Sequence, residues 1–487
     1  MPCTTILVGK NASYDGSTLI ARTDDGGFDV KKIIVTSPKD QPKKYKSVIG
    51  HLEIDLPDDP LRYTSCPNVD LKDGIWPACG INSENVAMTA TETITTNPLV
   101  LGADPLVRYK KAEKRGEKDI PGGIGEEDLV VLVLPYIHSA REGVERLGML
   151  LEKYGTYESN GIAFSDKDEI WWLESIGGHH WIARRVPDDE CVLMPNQFGM
   201  DSFDFADAMG EKKENLCSND LLEFMEKNHL NLNKGEDFNP RWAFGSHSDG
   251  DHLYNTPRAW FMARYLIPNQ YKWDGEGADF TPQSDNLPWS VKPEKKVTVE
   301  DVKYLLSSYY QGTPYNIYQK RDNPEKGKYR PIGKNNTSDM LLCQIRGYLP
   351  REIQAVEWVC FASTTFDGLL PIYANCDVIP DYLKKVTTDV STDNFYWCSL
   401  LLGVLADGDF ANCLMHIERY QQKMAALGHE LLNRFDREMT ESGDFSRIKK
   451  ANEALCDAGK KATAEALLKV VNEANKHMKN SYFRGDN

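Results

Sequence analysis

The chemistry in this sequence gathers around Cys3. A cysteine at the first position of a mature chain carries both a thiol nucleophile and an α-amine that can serve as its base, a complete catalytic unit on one residue. An unperturbed α-amine has a pKa of about 7.7–8.0, so near neutral pH it can take the thiol proton and later hand one to a leaving amine. Taken alone, a cysteine near a chain end is an inert small hydrophobic residue on a strand. Its neighbours give it more. Thr4 to Val8 and Thr18 to Arg22 read as strands, and Lys-Asn-Ala-Ser-Tyr-Asp-Gly-Ser between them is full of turn formers. A turn centred near Ala12 or Ser13 sets Cys3 opposite Arg22, with Cβ atoms roughly 4.5–5.5 Å apart. Arg22, Asp24 and Asp25 then surround the terminus. A guanidinium there favours thiolate, and a carboxylate can orient the amine. From spacing alone, Arg22 and Asp25 read first as an ordinary surface ion pair at a hairpin end.

The run from Cys3 to Asp25, Cys-Thr-Thr-Ile-Leu-Val-Gly-Lys-Asn-Ala-Ser-Tyr-Asp-Gly-Ser-Thr-Leu-Ile-Ala-Arg-Thr-Asp-Asp, closely resembles the start of PepD-type dipeptidases. These are cysteine peptidases of the N-terminal-nucleophile hydrolase superfamily, related to secernins and to choloylglycine hydrolases and penicillin V acylases. The resemblance covers essentially the whole chain. It implies that Arg22 and Asp25 match the Arg-x-x-Asp pair that follows the nucleophile strand. The Gly-x-Asn-Glu-x-Gly turn of the acylases is similar to Gly80 through Asn85, which places Asn82 at its asparagine and Asn85 where they have glycine. Their oxyanion asparagine falls on Glu92, which suits a substrate ammonium instead. Their later asparagine resembles Asn196, and their Thr-Pro-x-x-Arg arginine resembles Arg258 with shortened spacing. An amide such as that of Asn196 can donate to an oxyanion without the solvation demands of a charge, although a strand-end asparagine also bonds its own backbone. Arg258 suits support of the nucleophile, binding of a carboxylate, or a structural ion pair.

Two other clusters compete for attention. Ser246-His247-Ser248-Asp249-Gly250-Asp251-His252 is similar to a His-x-His-x-Asp-His zinc motif, but position 249 is aspartate and no histidine follows His252 until His416. A polar Asp-Gly loop is the expectation. Trp171, Trp172 and Trp181 beside Glu169 and Glu174 have the types of a sugar platform with paired carboxylates. Alternating aromatics on adjacent strands more often form a core.

Behind these residues stands a chain of 487 residues, enough for a large core without disulfides or metals. Its 73 acidic and 57 basic residues leave a net charge of −16, which disfavours nucleic acid or an anionic membrane as partner. Eleven scattered cysteines without a Cys-x-x-Cys pair suit a reducing compartment. The first residues lack the features of a signal peptide, and no stretch reaches 18 uninterrupted apolar residues, so the expected location is the cytoplasm.

Hairpins recur at Glu169 to Val186, around Gly177-Gly178, and at Val356 to Tyr373, broken at Asp367-Gly368. Glu126 to Tyr154 is helical in pattern, with Leu129, Leu132, Val133 and Ile137 at helical spacing, Pro135 as a break and Gly155 as a stop. Asp409 to Met439 and Ser446 to His477 read as long amphipathic helices, while Asn269 to Pro293 and Lys320 to Asn336 read as loops. Hairpins in both halves, with helices between and after them, predict antiparallel sheets covered by helices, an α+β fold. No glycine-rich phosphate loop points to a nucleotide.

The family resemblance implies more. It gives an αββα sandwich of two antiparallel sheets between helical layers, a short propeptide at 1–2, a hydrolase domain over 3–392 with loop insertions, and a helical region over 393–487 packed on it. It implies a dipeptidase acting on small peptides through an acyl-enzyme, without metal or cofactor and as a homo-oligomer. A related amidase or acylase, or a non-catalytic secernin-like protein, are the alternatives. The mechanism requires that Pro2, and not only Met1, be removed, by self-cleavage or by another peptidase.

Overall fold

The amino-terminal hairpin decides where Cys3 sits. In the computed structural model, which describes residues 3–89, 92–235, 237–319 and 322–478, Thr4–Val8 pairs antiparallel with Thr18–Asp24. Thr5, and not Cys3, faces Arg22. The register differs by two residues from the sequence expectation because the turn is displaced toward Tyr14. The Ala12 and Ser13 N–H groups both donate to the Gly9 carbonyl, and Asp15 accepts from the Ser17 N–H and hydroxyl. A two-residue shift keeps every side chain on its own face of the sheet, so Cys3 and Arg22 become diagonal neighbours rather than opposite ones.

The hairpin lies at the centre of a seven-stranded antiparallel sheet ordered Ser290–Val291, Cys191–Pro195, Thr4–Val8, Thr18–Asp24, Asp339–Ile345, Ala355–Phe361, Leu370–Tyr373. A second antiparallel sheet runs Asn215–Cys217, His180–Arg185, Ile170–Ile176, Asn160–Ser165, Ala87–Thr89, Cys79–Ile81, with Glu92–Thr93 also paired to Asn160–Ser165. The sheets touch where Thr18–Asp24 meets Asn160–Ser165 and Ala87–Thr89, and where Cys79–Ile81 meets Asp339–Ile345 and Ala355–Phe361.

Strand alternation sorts side chains into layers. Along Ile170–Ile176, Trp171 and Leu173 pack with Val144, Leu147 and Leu151 of the helix Ala140–Tyr154, whereas Ile170, Trp172 and Ile176 join Ile6 and Ile20. The tryptophans thus belong to the core. Glu174 is buried too, accepting from the Trp172 indole at 3.1 Å and the Gly199 N–H at 2.7 Å.

The helical stretch breaks at Pro135 as its sequence predicts. Leu129–Val133 gives way to a 3-10 turn over Leu134–Tyr136, Ser139 caps Ala140–Tyr154, and Gly155 ends it at φ +66°. A Cβ at Gly155 would also lie 2.4 Å from the Val107 side chain. After Asn394, whose side chain accepts from the Trp397 N–H, come Phe395–Gly408, Phe410–Ser442 and Ile448–Lys476. Ile417, Met424, Leu432 and Leu455 from these helices join the same core as the first sheet. Thr256–Leu266 packs on Cys191–Pro195, and Val299–Leu306 on the amino-terminal hairpin. The stretch from 269 to 293 is loop apart from Ser290–Val291, which adds an edge strand. Among the described residues no helix is long and apolar enough to cross a membrane.

Candidate active site

Cys3 is buried immediately ahead of the central strand Thr4–Val8. Arg22, buried on the neighbouring strand, donates through Nη2 to the Cys3 sulfur at 3.0 Å. The same nitrogen lies 3.1 Å from Glu126 Oε1 and 3.4 Å from Asp24 Oδ1, while Nη1 and Nε donate to the Ala78 and Thr23 carbonyls. Lys31 Nζ stands 2.7 Å from Asp24 Oδ2.

Burial pushes the Cys3 thiol up to about 12, with Arg22 pulling in the opposite direction. Burial also opposes charge on Asp24, but Lys31 and Arg22 outweigh it and hold that carboxyl at about 2. Asp339, across the strand pair from Asp24, takes the reverse course: burial and the Asp24 charge push it up to about 7. Two carboxyls that cannot both ionise cheaply are split by their surroundings.

A second cluster holds the backbone of Cys3. Arg258, buried in the helix Thr256–Leu266 that opens with Pro257 in its first turn, donates through Nη1 to the Cys3 carbonyl and to Thr4 Oγ1, the latter at 2.7 Å. Its Nη2 reaches Asn196 Oδ1 and Asn255 Oδ1, each at 2.7 Å, and its Nε reaches the Tyr254 carbonyl. Asn196 follows the strand Cys191–Pro195, whose Pro195 pairs with Thr4, and its amide donates to the Thr93 carbonyl at 2.9 Å. Sheet pairing and the Thr-Pro helix start therefore converge on one peptide unit.

Asp25 is buried with its carboxylate bound by Arg330 and by Thr337 Oγ1, the latter at 2.6 Å. Asn82 ties its own turn: its amide donates to the Leu134 and Ile137 carbonyls, and its oxygen accepts from the Glu84 and Val86 N–H groups. Glu92 pairs through its backbone with Gly161, and its side chain lies outside the described residues, as do Met1 and Pro2.

Sequence reasoning passed over Glu126, Lys31 and Asn255. Their partners lie 104, 7 and 3 residues away in the chain. For Glu126 a signal was present: three acids in a row, Glu126-Glu127-Asp128, follow Gly122-Gly123-Ile124-Gly125 ahead of an apolar run.

Among the described residues, the only group of three or more side chains placed to share a metal ion is Cys3, Asp24 and Glu126, with ligand atoms within 4.8 Å of one another. Arg22 contacts all three and supplies the positive charge itself. The His247 segment is not the expected loop. Ser248 caps the helix Asp249–Tyr254 in a capping box with Asp251, His252 Nε2 lies 2.9 Å from Asp285, and His247 stacks on Trp242.

The arrangement is that of a buried thiol beside one guanidinium, with its own backbone carbonyl bound by a second, at the head of a strand, which suits nucleophilic hydrolysis. The model described as Peptidase family C69 matches residues 2–423, and the chain belongs to that family of peptide hydrolases. Among its relatives are "Dipeptidase" of Bifidobacterium longum, 55% identical over 91% of this chain and 84% of the relative, and "Probable dipeptidase A" of Streptococcus pyogenes serotype M3, 48% identical over the full length of both. "Dipeptidase A" of Lactobacillus helveticus is 43% identical over 97% of this chain and 96% of its own.

Proposed function

We propose that the protein is a dipeptidase of the cytoplasm, that Cys3 is its amino-terminal nucleophile, and that its two sheets form the αββα sandwich of N-terminal-nucleophile hydrolases. The observation that carries this reading is the 3.0 Å contact between Arg22 and the Cys3 sulfur, in a peptidase-family chain whose full-length relatives bear the name dipeptidase. All eleven cysteines are free, which suits a reducing compartment.

In the encoded chain the Cys3 nitrogen is locked in a peptide bond to Pro2, so loss of Met1 and Pro2 creates the base. The freed amine takes the thiol proton, and Arg22 stabilises the thiolate. Sulfur attacks the peptide carbonyl, the C–N bond breaks as the ammonium proton passes to the leaving nitrogen, and a thioester remains. Water, deprotonated by the amine, then attacks the thioester, and the thiol leaves with that proton. Arg258 and Asn196 keep the Cys3 backbone in place throughout, and Asp25 with Arg330 anchors the end of the Arg22 strand.

The test is dipeptide hydrolysis by the wild type and by Cys3→Ser, with and without EDTA, alongside intact-mass measurement. Expected are loss of both leading residues, a fall of at least about 10³-fold on substitution and indifference to EDTA. Activity that survives Cys3→Ser but dies with chelator, or full activity with Pro2 retained, would overturn the reading. Cleavage of acyl amides but not dipeptides would make the protein an acylase instead.

A further inference from the structure

Cations gather at the same end of the first sheet as the nucleophile. Cys3 precedes its strand, Asp25 follows Thr18–Asp24 and Asn196 follows Cys191–Pro195, so antiparallel pairing brings them to one end. Asp339–Ile345 starts there too, with Asp339 paired to Asp24. The connection that leads into it is pinned along its length. The Arg330 N–H donates to the Leu253 carbonyl at 3.1 Å, and the Ile332 and Gly333 N–H groups donate to the Ser308 carbonyl at 3.0 and 2.8 Å. Further on, the Asn336 amide donates to the Gly26 carbonyl at 2.9 Å, the Thr337 hydroxyl to Asp25 at 2.6 Å and the Ser338 N–H to the Asp24 carbonyl at 2.7 Å. Lys334 stands midway along this segment, which is tied at one end to the residues ahead of the Arg258 helix and at the other to Asp24 through Gly26.

The other cations of the site have acceptors. Arg22 serves the sulfur, Asp24 and Glu126, Lys31 serves Asp24, Arg258 serves the Cys3 carbonyl and Asn196, and Arg330 serves Asp25. Lys334, half-buried, has no ion pair or side-chain hydrogen bond among the described residues. Burial leads in pulling its ammonium below the ordinary lysine value, Arg330 and Arg258 add to that pull, and Asp25 opposes it. The Asp25 carboxylate is already bound by Arg330 and Thr337. Three cations thus stand against one carboxylate. Like charges so placed repel one another unless an anion arrives.

We propose that Lys334, with Arg330 and Arg258 behind it, receives the free carboxylate of a dipeptide and so sets the length of peptide the enzyme accepts. This rests on the dipeptidase reading above. In a dipeptide the carboxylate carbon lies roughly 3–4 Å from the carbonyl carbon under attack, and the attacking atom stands about 3–3.5 Å from that same carbon. The carboxylate is therefore confined to within about 8 Å of the sulfur. Arg258 is bonded to the Cys3 carbonyl and acts on Lys334, so the cationic cluster begins at the nucleophile's own backbone. A longer peptide puts a neutral amide at this point and leaves the cluster unanswered. A dipeptide supplies a charge-assisted hydrogen bond to an ammonium that has three donors to offer.

The experiment compares kcat/KM for alanyl-alanine, alanyl-alaninamide and trialanine with the wild type, Lys334→Met and Lys334→Arg. The wild type should prefer alanyl-alanine. Lys334→Met should cut that preference about 30-fold, chiefly through the KM of alanyl-alanine and with a much smaller loss on the amide, and Lys334→Arg should restore most of it. Equal losses on all three substrates in Lys334→Met would overturn the inference and leave Lys334 as a support for the loop. So would a wild type that hydrolyses alanyl-alanine and its amide equally. Should Lys334→Met fail to fold, the decision falls to binding of alanyl-alanine and its amide by Cys3→Ala, where equal affinities would count against the proposal. A wild type without Cys3-dependent dipeptide hydrolysis would instead sink the dipeptidase reading itself, so the two failures are distinguishable.

Discussion

Arg258 donates a hydrogen bond to the backbone carbonyl of Cys3 from a helix that begins more than 250 residues later in the chain. Arg22 reaches the sulfur of the same residue from the adjoining strand. Cys3 is thus gripped at its backbone by one guanidinium and at its side chain by another. Both are buried, so each needs its full set of acceptors.

Arg258→Lys should expose that requirement. An ammonium cannot reproduce the planar fork that serves Cys3, Thr4, Asn196 and Asn255 together. The expected cost is about 2–4 kcal/mol in urea unfolding, with kcat lowered at least about tenfold and KM little changed. Because Asn196 binds the same guanidinium, Asn196→Ala combined with Arg258→Lys should depart from additivity by about 0.5–3 kcal/mol. Additive losses would show that the two act separately.

Arg22→Gln should act on the thiol. The guanidinium opposes the rise that burial imposes on Cys3, so its removal raises the thiol further and leaves Asp24 and Glu126 without their shared cation. Iodoacetamide labelling of Cys3, followed by peptide mass mapping at about pH 7, should slow at least about tenfold. Stability should fall by about 3–5 kcal/mol, the usual result of breaking a buried pair from one side. Labelling at the wild-type rate would remove Arg22 from thiol activation.

The hairpin was legible in the sequence because turn formers and β-branched runs are local signals. Its register was not, since the position of the turn depends on which carbonyl the Ala12 and Ser13 N–H groups select. The resemblance to known peptidases pointed to Asn196 and Arg258, which local pattern could not connect across 62 residues. Neither route found Glu126. Its partnership with Arg22 comes from the stacking of segments distant in the chain, a contact with no periodicity to betray it.

Asp436→Ala tests how firmly the carboxy-terminal helices are tied to the first sheet. Arg346, just past the strand Asp339–Ile345, meets Asp436 in a two-pronged pair at 2.6 and 3.1 Å, and the Tyr373 hydroxyl donates to the same carboxylate at 2.8 Å. Removing the carboxylate strands a buried guanidinium, at about 3–5 kcal/mol. Hydrogen exchange should accelerate first in Phe410–Ser442. If only global unfolding changes, the helices and the sheet open as one unit.

The split between Asp24 and Asp339 sets the pH dependence of stability. Asp24 is held below its ordinary value of about 3.9, so its contribution is present above that pH and is lost as pH falls toward about 2. Asp339 is raised to about 7, so the folded state binds a proton that the unfolded state has released above about pH 4, and stability declines as pH rises from there through 7. Glu158, Glu174 and Glu357, all pushed up to about 7 with burial as the leading cause, add to the same decline. The melting temperature should therefore be higher at about pH 5 than at about pH 8. Asp24, Asp25, Lys31 and Arg22 all act on Asp339, and the two cations favour its ionised form without overcoming burial and Asp24. Asp339→Asn removes one ionisable group from this balance, so it should raise stability at about pH 8 by on the order of 2 kcal/mol and make the decline from pH 5 shallower. A variant less stable than the wild type at about pH 8 would mean that Lys31 and Arg22 hold the ionised Asp339 favourably, against the upward shift that burial and Asp24 impose on it.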